Sequence, residues 1–459
     1  MQIWPSSGAG RPAPIRRWLR NRPPAQIIAA AFAGLIAVGT ALLMLPVARS
    51  GGGGASGLEA LFTATSAVCV TGLIVVDTPV FWSGFGQAVI LLLIQVGGFG
   101  IMTLASLLGV LVSRRMGLRT RLTAAAETKS IGIGDVRTVL VGVAVISGVV
   151  EAITAIVLGL RFALAYGEPP LRAAYLGVFH AVSAFNNAGF ALYSDNLIGF
   201  VTDAWVCVPI AVAVIVGGIG FPVITELTRQ LRRPRLWSLH TKMTVSMTGL
   251  LLALSALFVT ASEWRNPTTL GDLGFGGKLL AGTFNAVMLR TAGFNSVDTA
   301  TMNEGTWLGM DVFMFIGGGS AGTAGGIKVT TFALLFFAIA AEVRGERSVN
   351  VFDRRVGSRT IRQALTVALL SVAAVVGATI LLAWISGIRT DEVLFEAVSA
   401  FATVGLSTGI TDDLPGLGQL VLVGLMFLGR LGPITLVSAL ALRESQRRYQ
   451  HPEGRPIIG

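Results

Sequence analysis

The chain has 459 residues, 53% of them hydrophobic and only 13% charged, with a mean hydropathy of +0.73. Soluble domains carry about 25% charged residues, so this balance excludes an ordinary soluble globular protein and points to a chain that crosses a bilayer repeatedly. The net charge of +11 is a matter of position: 26 of 35 Lys and Arg fall in Arg11 to Arg22, Arg114 to Arg137, Arg229 to Lys242, Arg344 to Arg362 and from Arg443 onward.

In chain order, a basic tail (1–24) precedes an apolar run, 26–47, that is long enough to span and lacks a small-residue cleavage site, so it reads as a retained helix. Repeat 1 (25–113) continues with a short apolar segment, 58–68, then Val70-Thr71-Gly72-Leu73, then a long run, 87–112. After a basic loop (114–137), repeat 2 (138–228) has a run at 139–166, a short segment at 175–185, Asn187-Ala188-Gly189-Phe190, and a run at 205–227. A second basic loop (229–241) leads to repeat 3 (242–343), with 243–262, 279–289, Thr291-Ala292-Gly293-Phe294 and a run at 307–341. Loop 344–360 precedes repeat 4 (361–443), with 361–386, 392–402, Thr403-Val404-Gly405-Leu406 and 416–442, and a basic tail (444–459) ends the chain.

Eight long runs predict eight crossings, an even number that the positive-inside rule requires if both termini and the basic loops are cytoplasmic. The short segments have about 11 residues at about 1.5 Å each and cannot cross a core of about 30 Å, so they read as re-entrant half-helices. The repeat shows in the residues: Phe62, Phe179 and Phe395 each stand ten before Gly72, Gly189 and Gly405, while Phe284 precedes Gly293 by nine. A second glycine landmark follows each copy, at Gly97-Gly98, Gly217-Gly218, Gly317-Gly318 and Gly429, and the Gly97-Gly98, Gly217-Gly218 and Pro222 positions read as helix kinks or close-packing sites. The expected fold is an all-α membrane protein with four tandem repeats of helix, pore half-helix, filter loop and helix around one central pore.

Four glycine-centred strands can strip water from a cation, because carbonyl oxygens replace its hydration shell and glycine lets them turn inward. The backbone carbonyls of Val70, Thr71, Gly72, Asn187, Ala188, Gly189, Thr291, Ala292, Gly293, Thr403, Val404 and Gly405 are the candidate K⁺-binding filter. The competing reading, ordinary glycine turns between membrane helices, does not account for four at matched spacing. Half-helices ending toward the strands would aim their negative C-terminal dipoles at a cation, with Glu59 and Glu396 complementing the opposite ends.

The sixth run is interrupted at 317–328 by Gly317, Gly318, Gly319, Ser320, Gly322, Thr323, Gly325 and Gly326, which no helix sustains, with Lys328 at its cytoplasmic end. Non-helical backbone at membrane depth survives only where protein or a water-filled cavity covers it, so this stretch is a candidate gate beneath the filter. A phosphate-binding loop is excluded, because Ile327 separates Gly326 from Lys328. Arg430, about 14 residues into the last run, is costly there and either forms a barrier to K⁺ or a strut paired with Glu151. Arg290, three residues before Gly293, reads as scaffold for the shortened third strand. Cys69, Cys207, His180, His240 and His451 have no metal-ligand spacing, and no converging catalytic set supports an enzyme.

These strands, the break Gly317-Gly318-Gly319-Ser320-Ala321-Gly322-Thr323-Ala324-Gly325-Gly326-Ile327-Lys328 and Gly429-Arg430-Leu431-Gly432-Pro433 resemble the Trk/Ktr/HKT superfamily of K⁺ transporters, most closely its KtrB-like membrane subunits. The resemblance covers roughly residues 26–442. It implies potassium uptake across a bacterial-type plasma membrane by a homodimer seated on a cytosolic nucleotide-binding (RCK/KTN-type) regulatory ring. It implies K⁺ as the transported ion, Na⁺ as a candidate activator, the lipid bilayer as partner, no nucleic acid and no cofactor in this chain. Gly72 matches the K⁺-selective arrangement of that superfamily, whereas Asn187 and Ala188 depart most from a TVG-type strand. A Na⁺- or H⁺-coupled symporter, with Glu151 as proton carrier, or a less selective K⁺/Na⁺ transporter are the alternatives.

Overall fold

A computed structural model describes residues 24–114 and 136–432. The N-terminal tail, residues 115–135 of the first basic loop, and everything from Pro433 onward, including the end of the last predicted span and the tail 444–459, lie outside the described residues. The first copy comprises α1 (Pro24–Leu43), α2 (Gly57–Val68) and α3 (Gly84–Arg114); the second α4 (Val136–Ala165), α5 (Pro170–Phe185), α6 (Ala204–Ile219) and α7 (Phe221–Gln230). The third comprises α8 (Leu239–Ser262), α9 (Phe275–Met288), α10 (Glu304–Phe315) and α11 (Val329–Val343); the fourth α12 (Ser358–Ser386), α13 (Thr390–Ala402) and α14 (Gly416–Leu431).

All four predicted half-helices are present, as α2, α5, α9 and α13, and each packs between neighbouring helices: α2 on α1 and α3, α5 on α4 and α6, α9 on α8 and α6, α13 on α10, α12 and α14. Their repeated phenylalanines Phe62, Phe179, Phe284 and Phe395 are all at most 2% exposed. Burying an apolar ring within a bilayer gains packing and not escape from water, so the repeat preserves shape as well as hydropathy. Ser56 caps α2 in a capping box: Glu59 N donates to Ser56 Oγ (3.2 Å) and Ser56 N to Glu59 Oε2 (2.7 Å). Glu59 thus complements the half-helix start as expected.

Among the described residues, Gln26–Leu43, Val139–Ala165, Leu239–Ser262 and Ser358–Ser386 are long and apolar enough to cross a membrane, and α6 with α7 adds a fifth if that bent pair is one span. The protein's outward face carries Leu164, Val343 and Trp384, each more than 80% exposed, a surface suited to lipid. Two predicted spans are not straight. α6 and α7 diverge by 103° at Gly220, whose φ is 102°, and Pro222 follows, removing an N–H donor where a helix would continue. The sixth run splits into α10 and α11 around residues 316–328. The predicted plain loop 344–360 holds a hairpin, β1 (Asn350–Val351) with β2 (Arg354–Arg355), whose Val351 packs with Met243, Met247, Val329 and Ala333.

Candidate functional site

The chain leaves each half-helix in the same way. Two residues before the glycine, φ is positive at Val70 (56°), Asn187 (61°), Thr291 (67°) and Thr403 (51°), and it is positive again at Gly72 (94°), Gly189 (71°), Gly293 (69°) and Gly405 (93°). A β-branched residue in that region costs about 1–3 kcal/mol and persists only where its surroundings over-determine it, which Val70, Thr291 and Thr403 all satisfy by complete burial. Alternating the sign of φ turns successive carbonyls toward one side instead of to opposite sides as in a regular strand.

The four strands touch in a closed cycle. A Cβ on Gly72 would fall against the Ala188 carbonyl oxygen, one on Gly189 against Ala292, one on Gly293 against Val404, and one on Gly405 against Thr71. Strand one therefore abuts two, two abuts three, three abuts four, and four returns to one. Behind this ring, Thr71 N, Ala188 N and Val404 N donate five residues back to the carbonyls of Ser66 (2.8 Å), Ser183 (2.7 Å) and Ser399 (2.8 Å). The third copy, one residue shorter, makes the same closure four back, from Ala292 N to Met288 O at 3.0 Å. Ser66 Oγ and Ser399 Oγ also accept from Gly72 N and Gly405 N.

Gly97, Gly217 and Gly429 seat against the carbonyls of Val68, Phe185 and Phe401, each four residues before the strand glycine of its copy. They are close-packing sites, as expected, because any Cβ there would displace a half-helix end. The third copy departs from this pattern: Gly317 faces the Gly325 carbonyl, and Gly318 faces Ala324 and the Gly218 carbonyl. Those two glycines serve the break, Gly317 within it and Gly318 against the end of α6.

Two groups of residues take places around the strands that sequence reasoning missed. The position after the repeated Phe holds the outgoing loop: His180 Nε2 accepts from Leu192 N (3.3 Å), and Glu396 accepts from Thr408 N (3.1 Å), Thr411 Oγ1 (3.1 Å) and Ser407 Oγ. Leu192 and Thr408 are each the third residue past their glycine. Glu396 therefore braces the chain beyond the fourth strand and does not neutralise a helix start, correcting its expected role. Asp77, Asp195, Asp298 and Asp412, one after each strand, line a single cavity of about 470 Å³ with Gly72 and Gly405. An aspartate five to seven residues past every glycine was the signal available in the sequence.

On the opposite side, the break lies against the inner ends of the strands. Thr323 Oγ1 donates to Asn187 Oδ1 (2.8 Å) and approaches the Phe185 carbonyl, while a Cβ on Gly325 would meet Thr403 Oγ1 and the Ala402 carbonyl. Gly319 N and Thr323 N donate to the carbonyls of Gly218 (2.8 Å) and Gly217 (3.1 Å) at the α6–α7 bend. Gly317 N to Ile327 O and Ile327 N to Phe315 O pinch its ends together. Gly322 packs beneath Gly218, Gly326 takes a positive φ (64°), and Ser320 Oγ bonds Thr330 Oγ1 at 3.1 Å.

Three cations hold this segment. Arg430, 4% exposed, donates from Nη1 to the Thr323 carbonyl and from Nη2 to the Gly97 carbonyl at 3.3 Å. Arg290 Nη2 donates to Gly317 O at 2.8 Å, and Lys328 Nζ to Ala324 O at 2.5 Å. The Arg430–Glu151 pair of the strut alternative does not form: Glu151 takes Gln95 and Asn186 as partners, both at 3.4 Å. Arg430 is a strut, but to the carbonyl of the break. Arg290 is scaffold, as expected, and it joins the third strand to the break, with its own carbonyl accepting from Asn187 Nδ2 at 3.3 Å.

A family model described as TrkH, cation transport protein, matches residues 18–451. The chain is 40% identical to Ktr system potassium uptake protein B of Bacillus subtilis, over 96% of this chain and 98% of that one, and 38% identical to the protein of the same name from Vibrio alginolyticus, over 95% and 94%. It is 33% identical to potassium/sodium uptake protein NtpJ of Enterococcus hirae, over 97% and 99%. The crystal structure of the potassium transporter TrkH from Vibrio parahaemolyticus shares its fold, with a TM-score of 0.69 at 19% identity over 93% of this chain and 88% of that one. The chain, with its ring of four glycine strands and a buried arginine beneath them, belongs to the TrkH family of cation transport proteins.

Proposed function

We propose that the protein carries K⁺ into the cell through one filter built by a single chain from Val70–Gly72, Asn187–Gly189, Thr291–Gly293 and Thr403–Gly405. The observation that carries this reading is the closed cycle of glycine-to-carbonyl contacts between the four strands. Four inward-turned strands supply dehydrating carbonyls, and four half-helix C-termini add negative dipole ends. The four aspartates on the outer side raise the local cation concentration. The membrane potential then drives entry at about 2.3 kcal/mol per charge per 100 mV.

The break at 317–328 is the gate in this reading, closed when Arg430 and Arg290 hold it against the strands. The relatives named Ktr system proteins support a role within a system of several subunits. In this reading the chain is a dimer in the cell membrane, with eight crossings, cytoplasmic termini and loops, and a cytosolic nucleotide-binding ring that releases the gate. Asn187 and Ala188, which break the TVG pattern, together with the 33% identical potassium/sodium uptake relative, favour a second reading with weaker K⁺ over Na⁺ selectivity.

The test is ⁸⁶Rb⁺ and ²²Na⁺ uptake by proteoliposomes holding the full chain, alone and with the cytosolic ring, under a negative-inside potential. Selective ⁸⁶Rb⁺ uptake supports the filter, and equal uptake of both ions supports the second reading. Silence with the ring present refutes transport.

A further inference from the structure

Away from the ring, a cavity of about 430 Å³ opens on the lipid-facing side between α10, α11, α12 and α13. Its walls are apolar, with Val312 and Val376 exposed toward lipid, and Ile316 and Ile327 at its base are the two pinched ends of the break. One polar side chain lines it. Asp311 is 6% exposed, and its Oδ1 has no hydrogen-bond partner among the described residues.

A carboxylate buried without a partner is costly, so Asp311 ionises only beside a cation, and that cation must bring its own apolar cover to match these walls. The volume lies within the range of about 300–1,000 Å³ typical of sites for small organic ligands. Depth selects the source. Asp311 lies seven residues along α10 from Glu304, about 10 Å below the end that follows the aspartate-lined mouth, at about 1.5 Å per residue. That is too deep for a lipid headgroup and suits an amine that partitions into the acyl region.

We propose that this pocket binds one long-chain alkylammonium ion, its nitrogen on the Asp311 carboxylate and its chain along Val312, Val376 and Val398. An occupant there wedges the ends of the break against α13, which carries the fourth strand. Bound amine therefore holds the gate closed. Binding stands on the cavity and the carboxylate alone; only the effect on flux rests on the transport reading.

The experiment measures binding of ³H-dodecylammonium to the full chain in phosphatidylcholine nanodiscs, with empty discs subtracted. Wild type should show one saturable site that Asp311→Asn weakens at least tenfold, while 1-dodecanol competes poorly. Binding within twofold of wild type in Asp311→Asn would overturn the proposal. Wild type alone supplies a second measurement, labelling by a lipid-soluble carbodiimide. The Asp311 carboxyl O–H adds across one C=N bond to give an O-acylisourea that rearranges to an N-acylurea, so nothing leaves and the peptide gains the reagent's mass. Dodecylammonium should protect Asp311 from this adduct; no adduct, or an adduct the amine does not prevent, would refute the site. If binding holds and ⁸⁶Rb⁺ flux is unaffected by the amine, the site stands and its link to the gate fails.

Discussion

Arg430→Gln isolates the hold that the buried guanidinium exerts on the break. In the structure, which the proposed function takes as closed, Arg430 donates to the Thr323 carbonyl, which lies beside the second strand, and at 3.3 Å to the Gly97 carbonyl on α3. A hydrogen bond from a charged donor contributes about 1.5–3 kcal/mol, and the longer contact to Gly97 belongs at the weak end. Only the Thr323 contact is specific to the break, so the closed state should lose about 1.5–3 kcal/mol relative to the open one. At about 1.4 kcal/mol per decade, the open population rises roughly 10- to 150-fold. Removing a fixed positive charge from below the proposed filter acts in the same direction. The assay is initial ⁸⁶Rb⁺ uptake by proteoliposomes without the regulatory ring, with size-exclusion profiles confirming folded protein. Arg430→Lys, which keeps the charge but not the planar fork, should fall between wild type and Gln. Folded Arg430→Gln protein with wild-type unregulated uptake would refute the argument.

Gly72→Ser and Gly405→Ser each place a Cβ against a neighbouring carbonyl at positive φ, so both should lower the ⁸⁶Rb⁺ to ²²Na⁺ flux ratio several-fold while the protein remains folded. Asp77→Asn combined with Asp412→Asn should slow uptake at low K⁺ and low ionic strength, and the difference should vanish by about 1 M salt, where the Debye length falls to about 3 Å. Glu263, at the outer end of α8, gives a pH prediction. Burial opposes its ionisation, but hydrogen bonds from Thr306, Asn303, Thr269 and Asn266 outweigh this and hold its carboxyl below the usual range. A lowered folded pKa means the stabilisation is present above the ordinary Glu value of about 4.3 and is lost as pH falls through the folded value. Glu263→Gln should lower the melting temperature at pH 7 and flatten the acid limb of its pH profile.

Much of this architecture is written as spacing. The half-helices were legible because Phe62, Phe179 and Phe395 recur ten residues before a glycine and Phe284 nine before, and the strand closure shortens by one residue in step with that distance. The break was legible because six glycines cannot hold a helix. Pairwise contacts between distant segments were not. Glu151 looked like the partner of Arg430 by charge and depth, but Gln95 and Asn186 satisfy it, while Arg430 finds the Thr323 carbonyl 107 positions away. Backbone acceptors leave no trace in composition. The kink read at Pro222 is present, but the size of the bend at Gly220 was hidden because residues 205–227 read as one apolar run. Glu396 was placed by proximity to a helix start, and only its alignment with His180 reveals the shared task of holding the third residue past the glycine.

The account rests on the four strands enclosing a cation. Anomalous diffraction from crystals of the full chain grown in Rb⁺ tests this most directly. The account predicts anomalous density on the axis of the ring, surrounded by carbonyls from residues 70–72, 187–189, 291–293 and 403–405 and depleted when Na⁺ replaces Rb⁺. An empty axis with Rb⁺ bound elsewhere in the chain would contradict it.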